Sequence, residues 1–238
     1  MKVVLITGGT KGLGLSIVKE LLKNSYFVIA TGRSLSAGLD AVLQQTKNAA
    51  FEALDLKNDN VHEFIKLITK KYGRLYGLIN NAAIGKDGVL ATMHDSEIDE
   101  VMYVNTTASL KLTKYAVRSM LLNKKGRIIN ISSIIANTGF NGLSVYAASK
   151  AGLLGFTKSF AREVGKSNIT VNAILPGYMK TEMTSGIEDE KLNTIIRRSP
   201  LKTLIPTEDV AGMVEYLLSE KASCITGSSF TLDAGSTA

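Results

Sequence analysis

The chain of 238 residues has one cysteine, two histidines, three prolines and no tryptophan. A lone Cys224 has no partner for an internal disulfide, which excludes an oxidatively stapled fold and fits a reducing cytoplasm. Cys224 itself reads as a small buried hydrophobe. One cysteine and two histidines are too few for a His/Cys zinc site, and no metal is expected. The longest purely apolar stretches, Val3–Ile6 and Phe27–Ala30, run to about four residues, whereas a membrane span needs about 20. The four apolar residues after Met1-Lys2 are also too few for a secretory signal, whose apolar core is about 7–15 residues. The reading is a cytoplasmic protein without a membrane segment. Acidic excess is missing too, for the formal charge is +7. The basic residues lie scattered in small groups at Lys70-Lys71, Lys124–Arg127 and Arg197-Arg198. None is interleaved with aromatics as in a single-strand binder, so no nucleic acid is expected. Solvated helix faces explain most of them, and the excess suits an anionic ligand or an acidic protein.

The composition, 45% hydrophobic and 21% charged, is that of a globular chain and excludes a disordered one. Short apolar, β-branched runs alternate with segments of helical period. Strands are expected at Val3–Thr7, Phe27–Thr31, Phe51–Leu54, Gly77–Asn80, Arg127–Ser132, Ile169–Ile174 and Ser229–Leu232. Helical spacing joins Ile17, Val18, Leu21 and Leu22, then Leu39, Val42 and Leu43, then Val61, Phe64, Ile65 and Ile68. Longer helices are expected from Ser96, read as an N-cap, to Leu122, from Ser144 to Gly165, and from Glu208 to Ser219. A strand recurring every 20–30 residues with helical crossovers implies an α/β fold. It would be a single-domain, doubly wound parallel sheet of about seven strands with helices on both faces. The strandless stretch at about 178–206 reads as a substrate loop or lid.

The first strand runs into Thr7-Gly8-Gly9-Thr10-Lys11-Gly12-Leu13-Gly14 and then a helix. Glycines there permit positive φ and let backbone approach a pyrophosphate at the helix N-terminus. A Walker A loop is excluded, because Leu15 rather than Lys follows the last glycine. The second strand ends Gly32-Arg33, without the acid that would hold a ribose 2′-OH. Arg33, a planar donor fork, suits a 2′-phosphate, and Lys11 adds a second positive charge. Tyr146 and Lys150 are four apart on one helix face. That pair alone is expected by chance. Its context is not, because Ser133 closes the preceding strand, and ligands of open parallel sheets bind beyond strand ends of that kind. The bland readings remain beside these: a ligand-free tight turn, a surface arginine, a structural Asn105. His62 and His94 read as structural or exposed.

Taken together, these residues resemble the short-chain dehydrogenase/reductase family, with a Rossmann-type fold, along nearly the whole chain. The motif Thr-Gly-x-x-x-Gly-x-Gly is met by Thr7 to Gly14, and Asn-Asn-Ala-Gly by Asn80 to Ala83 with Ala in the last place. The tetrad Asn-Ser-Tyr-Lys is met by Asn105, Ser133, Tyr146 and Lys150, and Pro-Gly with a later Thr by Pro176, Gly177 and Thr181. Asp233-Ala234-Gly235 departs from a more usual Gly-Gly ending. The string from Tyr146 to Ser159 and the closing Ile225-Thr226-Gly227 are most similar to the 3-oxoacyl-acyl-carrier-protein reductases. The resemblance implies NADPH/NADP held by Gly8, Thr10, Lys11, Gly12, Leu13 and Gly14. It adds Arg33, Asp55 and Leu56 beside the adenosine, and Asn81, Ala82, Tyr146, Lys150, Pro176, Gly177, Met179 and Thr181 along the rest.

The same resemblance implies reduction of a 3-oxoacyl thioester, with acyl carrier protein as candidate partner. A reductase of another small ketone, sugar or polyketide, and a catalytically silent binding protein, are the alternatives. Tyr146 would be the acid, its pKa lowered by Lys150. Ser133 would bond the carbonyl oxygen. Asn105 would hold a water that feeds protons to Lys150. Lys124, Lys125 and Lys166 are candidates to meet an acidic carrier, and Met179 and Met183 to wall an acyl chain. Apolar residues on more than one face of the long helices, such as Leu153, Leu154, Phe156 and Phe160, imply a subunit interface, and the resemblance implies a homotetramer.

Overall fold

The computed structural model describes residues 1–179 and 189–238, apart from the side chains of Asp189 and Lys191. Seven strands form one parallel sheet in the order β3-β2-β1-β4-β5-β6-β7. In chain order they are Lys2–Ile6, Tyr26–Gly32, Ala49–Ala53, Leu75–Asn80, Gly126–Ile131, Ile169–Pro176 and Ser229–Leu232. Helices α1 (Gly12–Lys23), α2 (Ala37–Gln45) and α9 (Thr207–Leu218) cover one face. Helices α3 (Val61–Tyr72), α5 (Ala108–Asn123) and α7 (Ser144–Val164) cover the other.

Strand alternation builds the two cores. On β1, Val4 and Ile6 pack with α1 and α9, while Val3 and Leu5 pack with α3 and α5. The two-residue side-chain period of a strand makes this automatic once both faces are covered. Chain order reverses between β1 and β4, which puts a crevice between the two strand ends.

Four expectations need correction. The helix expected over 96–122 is a continuous helical path broken in the middle. Helix α4 (Asp95–Met102) passes into a π turn at Tyr103–Thr107 and on into α5. Its N-cap is His94, whose N–H reaches the Glu97 carboxylate at 3.4 Å, and Ser96 lies inside the first turn. The 178–206 stretch is not bare loop, for it contains helix α8 (Asp189–Arg198). Cys224 is exposed rather than buried, because it lies in the loop before β7 and not in either core.

Beyond β7 the chain closes in a turn anchored by Asp233, in which Ala234 takes a left-handed φ of 55°. Holding alanine there costs about 1–3 kcal/mol, partly offset by the entropy a glycine would lose. Ala234→Gly is therefore expected to stabilise the fold by about 1 kcal/mol, or about 2–4 °C in Tm. A thermal melt showing no gain would mean that the turn carries no strain.

Candidate active site

The glycine turn sits at the carboxyl end of β1, bolted to the end of β4 by side chains that the local pattern does not reveal. The Asn81 amide donates to the carbonyls of Thr7 (2.9 Å) and Gly8 (3.1 Å). The Thr7 hydroxyl accepts from the N–H groups of Asn81 and Ala82, both at 3.0 Å. A Cβ on Gly14 would lie 2.0 Å from the Gly8 carbonyl oxygen, so glycine is obligatory where α1 begins. Gly8 and Gly12 have φ of 65° and 52°, conformations that glycine adopts without strain. Helix α1 has no side-chain cap and no acid in its first turn. Its leading N–H groups and positive dipole end are therefore suited to an anion.

The second strand delivers Arg33, exposed, beside that turn. Gly32 is fixed by packing, for a Cβ there would come within 2.8 Å of Thr10 Cγ2. The Ser36 hydroxyl caps α2 at Leu39 N (3.1 Å) and also bonds the Thr10 carbonyl, tying the Arg33 loop to the glycine turn. After β3, the Asp55 carboxylate accepts from Lys57 N at 3.0 Å and from the Asn58 amide at 2.8 Å. The side chains of Leu13 and Leu56 are buried in the two cores, leaving only backbone there for a ligand. Met179 packs against the α1–α9 core, while Thr181 and Met183 lie outside the described residues.

Ser133, between β5 and the short helix α6 (Ile135–Thr138), and Tyr146 and Lys150, on α7, come together at the same edge of the sheet. The Ser133 hydroxyl lies beside the Tyr146 phenol and opposes the rise of its pKa. Lys150 is fully buried, its Nζ donating to Ile131 O at 2.8 Å and lying 5.8 Å from the centre of the Tyr146 ring. Burial pushes the Lys150 pKa down to about 8. The expected lowering of Tyr146 by Lys150 is not seen in the chain's own field. Burial dominates and raises the phenol, Tyr178 and Asp87 add to it, and only the Ser133 hydroxyl opposes it. Tyr178, half-buried beside Tyr146 in the same apolar cluster, was not anticipated, although it directly follows Pro176-Gly177.

Asn105 occupies the π turn with its amide fully engaged. Its Nδ2 donates to Ile84 O (2.9 Å) and Ser149 Oγ (3.0 Å), and its Oδ1 accepts from Ile84 N (2.8 Å). Both side-chain N–H groups are spent inside the protein, so a water held by this side chain would meet only the second lone pair of Oδ1. The side chain pins the segment after β4 to α7.

The arrangement joins an anion-binding turn, a proton-bearing phenol and a buried amine across one crevice. The model of the family described as short chain dehydrogenase matches residues 2–192. The chain belongs to the short-chain dehydrogenase family. Among its relatives, the 3-oxoacyl-[acyl-carrier-protein] reductase FabG of Vibrio cholerae is 36% identical over 235 residues, 98% of this chain and 96% of that one. The Buchnera aphidicola reductase of the same name is 39% identical over 232 residues, 97% and 95% of the two chains. A solved structure described as ElxO with NADP bound is 34% identical, with a TM-score of 0.90, covering 99% of this chain and 98% of that one.

The fold of this dehydrogenase overturns one reading of its surface. Lys124 and Lys125 immediately precede β5, and Lys166 lies in the short turn before β6. All three therefore stand at the amino ends of parallel strands, opposite the crevice, and cannot border the mouth of their own site. Lys125 instead pairs with Glu220 at 2.9 Å, alongside Lys2 at 2.6 Å. Among the described residues no group of His, Cys, Asp and Glu could hold a metal, and no helix is long and apolar enough to cross a membrane.

Proposed function

We propose that this dehydrogenase reduces a 3-oxoacyl thioester, carried on an acyl carrier protein, to the 3-hydroxyacyl form with NADPH. The observation that carries the reading is the Ser133–Tyr146–Lys150 set, facing the glycine turn across the strand-order crevice. Full-length similarity to proteins described as 3-oxoacyl-[acyl-carrier-protein] reductases supports the substrate class. NADPH is supported by Gly32-Arg33 in place of an acid, and by the bound NADP named for the similar ElxO structure.

The turn from Gly8 to Gly14 and the uncapped start of α1 would hold the pyrophosphate, with Lys11 and Arg33 at the 2′-phosphate. NADPH bound there supplies the hydride. Ser133 donates a hydrogen bond to the substrate carbonyl oxygen as negative charge grows on it. Tyr146 gives that oxygen a proton; the phenol is protonated at neutral pH, and the burial that raises its pKa works against donation while the Ser133 hydroxyl opposes that rise. Lys150 spends one Nζ proton on Ile131 O, leaving two to hold the ribose and the phenol oxygen. Asn105 and Asn81 act as braces for the segment after β4 and the glycine turn.

NADPH oxidation with acetoacetyl thioester tests the reading. Turnover supports it, turnover with free ketones alone moves the substrate class, and cofactor binding without turnover of either would refute a reductase. Arg33→Ala is expected to weaken NADPH by about 10- to 150-fold, the value of a charged hydrogen bond of about 1.5–3 kcal/mol, and to leave NADH nearly unchanged. Fluorescence titration showing NADH bound at least as tightly as NADPH by the wild type would overturn the cofactor assignment.

Assembly belongs to the same proposal. Phe156 and Phe160 stack at 5.2 Å on α7 and remain half-buried, and Leu121 and Leu122 are exposed on α5. A homotetramer would cover these faces. Light scattering at micromolar concentration is expected to give a multiple of 25.5 kDa. A monomer mass would refute this.

A further inference from the structure

We infer that Asp233 is a positioning residue that latches the far end of the 178–206 segment to the strand carrying its near end. This rests on the reading above that the segment walls the substrate. Strands β6 and β7 end side by side, where Gly177 N donates to Leu232 O at 2.7 Å. At that point the backbones touch, since a Cβ on Gly177 would lie 2.8 Å from Asp233 Cα. The next residue, Tyr178, packs on the same apolar cluster as Tyr146, and its carbonyl accepts from Ile205 N at 3.1 Å.

The Asp233 carboxylate gathers the last residues into a compact knot. It accepts from Gly235 N (2.9 Å), Ser236 Oγ (3.1 Å), Thr237 N (2.9 Å) and Thr237 Oγ1 (2.6 Å). Burial alone would raise its pKa, but these four donors outweigh it and hold the group ionised well below the usual range. The knot presents two groups to the far end of the segment. Ala234 O accepts from Leu201 N at 3.2 Å, and Gly235 lies so close to Pro200 that a Cβ would come within 2.8 Å of its ring. The buried Ser199 stiffens this end, bonding Ile196 O at 3.0 Å and accepting from Thr203 N at 3.3 Å. One carboxylate thus links the strand end beneath Tyr178 to Pro200-Leu201. Without it, the far end keeps the Ile205–Tyr178 bond and loses its hold at Pro200-Leu201.

The test compares Asp233→Ala with Asp233→Asn, whose amide oxygen still accepts from Gly235 N. Displacing a substrate wall by a fraction of an ångström is expected to raise KM for acetoacetyl thioester about tenfold in Asp233→Ala. The NADPH dissociation constant is expected to change less than twofold, with partial rescue in Asp233→Asn. Hydrogen exchange is expected to accelerate over 196–205 and not over β1 and α1. Accelerated exchange with KM unchanged would make Asp233 a purely structural anchor and overturn the inference. So would unchanged exchange, or equal weakening of NADPH and substrate. If the wild type turned over no acyl thioester, the substrate assignment would fail, and the exchange comparison would still decide whether the latch exists.

Discussion

Tyr146→Phe is expected to abolish nearly all turnover while leaving a folded protein that binds NADPH. The substitution removes one oxygen, and the ring keeps its packing against the cluster of Ile134, Ile135, Ala173 and Leu175. What disappears is the proton donor, and general acid catalysis contributes about 10²–10⁴ in rate. The phenol also shares with Ser133 the task of holding the carbonyl oxygen, so the loss in kcat is expected at the upper end of that range. The measurement is kcat with acetoacetyl thioester beside an NADPH titration. A variant that binds NADPH and works within about threefold of wild type would remove Tyr146 as the acid.

Lys150→Met is expected to destroy activity and make the protein more stable. The amine is fully buried, and burial depresses its pKa from 10.5 to about 8. Folding therefore disfavours the charged form. Between about pH 8 and 10.5 the unfolded chain holds a proton that the folded chain has released, so stability from this group rises with pH across that window. Below it the penalty is present in full. At about 1.4 kcal/mol per pH unit it comes to about 3–3.5 kcal/mol. Methionine has nearly the same length and no charge, and leaves the Ile131 carbonyl without its Nζ donor, which offsets about 1 kcal/mol. The net expectation is a gain of about 2 kcal/mol at pH 7, or about 4–8 °C in Tm, shrinking as pH rises towards 10.5. Melts at pH 7 and 9.5 check it, and a variant less stable than wild type at pH 7 would show that the ammonium is well solvated. Activity is expected to fall at least as far as in Tyr146→Phe. Because both residues act on one proton, the double variant is expected to be far less than additive.

The seven strands, the parallel sheet and the glycine turn were readable because their signals are local. A β-branched run needs a covered sheet, glycines mark a close backbone approach, and a four-residue spacing marks one helix face. What was hidden depends on partners distant in sequence. Asn105 bonds Ile84, 21 residues away, and no local pattern shows that its side chain braces the segment after β4. The π turn leaves the apolar periodicity of 96–122 unbroken and so leaves no mark on it. Helix α8 did leave a signal in the spacing of Leu192, Ile195 and Ile196, but it lies in a stretch whose prolines and lack of strands favoured a loop. Lys124 and Lys125 show a charge whose sign is legible and whose place is not, since only the direction of β5 reveals which end of the sheet they occupy. The direction of the Tyr146 shift was missed for a similar reason: the residue next to it in function is visible, and the apolar wall around it is not.

The contact between Gly32 and Thr10 has a consequence for descent rather than for catalysis. An acid at position 32 is the short route to exchanging a 2′-phosphate for a ribose hydroxyl. That route is obstructed here, because the new Cβ meets Thr10 Cγ2 at 2.8 Å and Thr10 is buried, its carbonyl held by Ser36. Gly32→Asp alone must at least turn or push aside the Thr10 side chain, and is expected to weaken the hold on either nucleotide. A smaller residue at position 10 must come first or arrive together with it. Cofactor choice is thus expected to depend on positions 10 and 32 jointly, through one methyl group in a neighbouring loop.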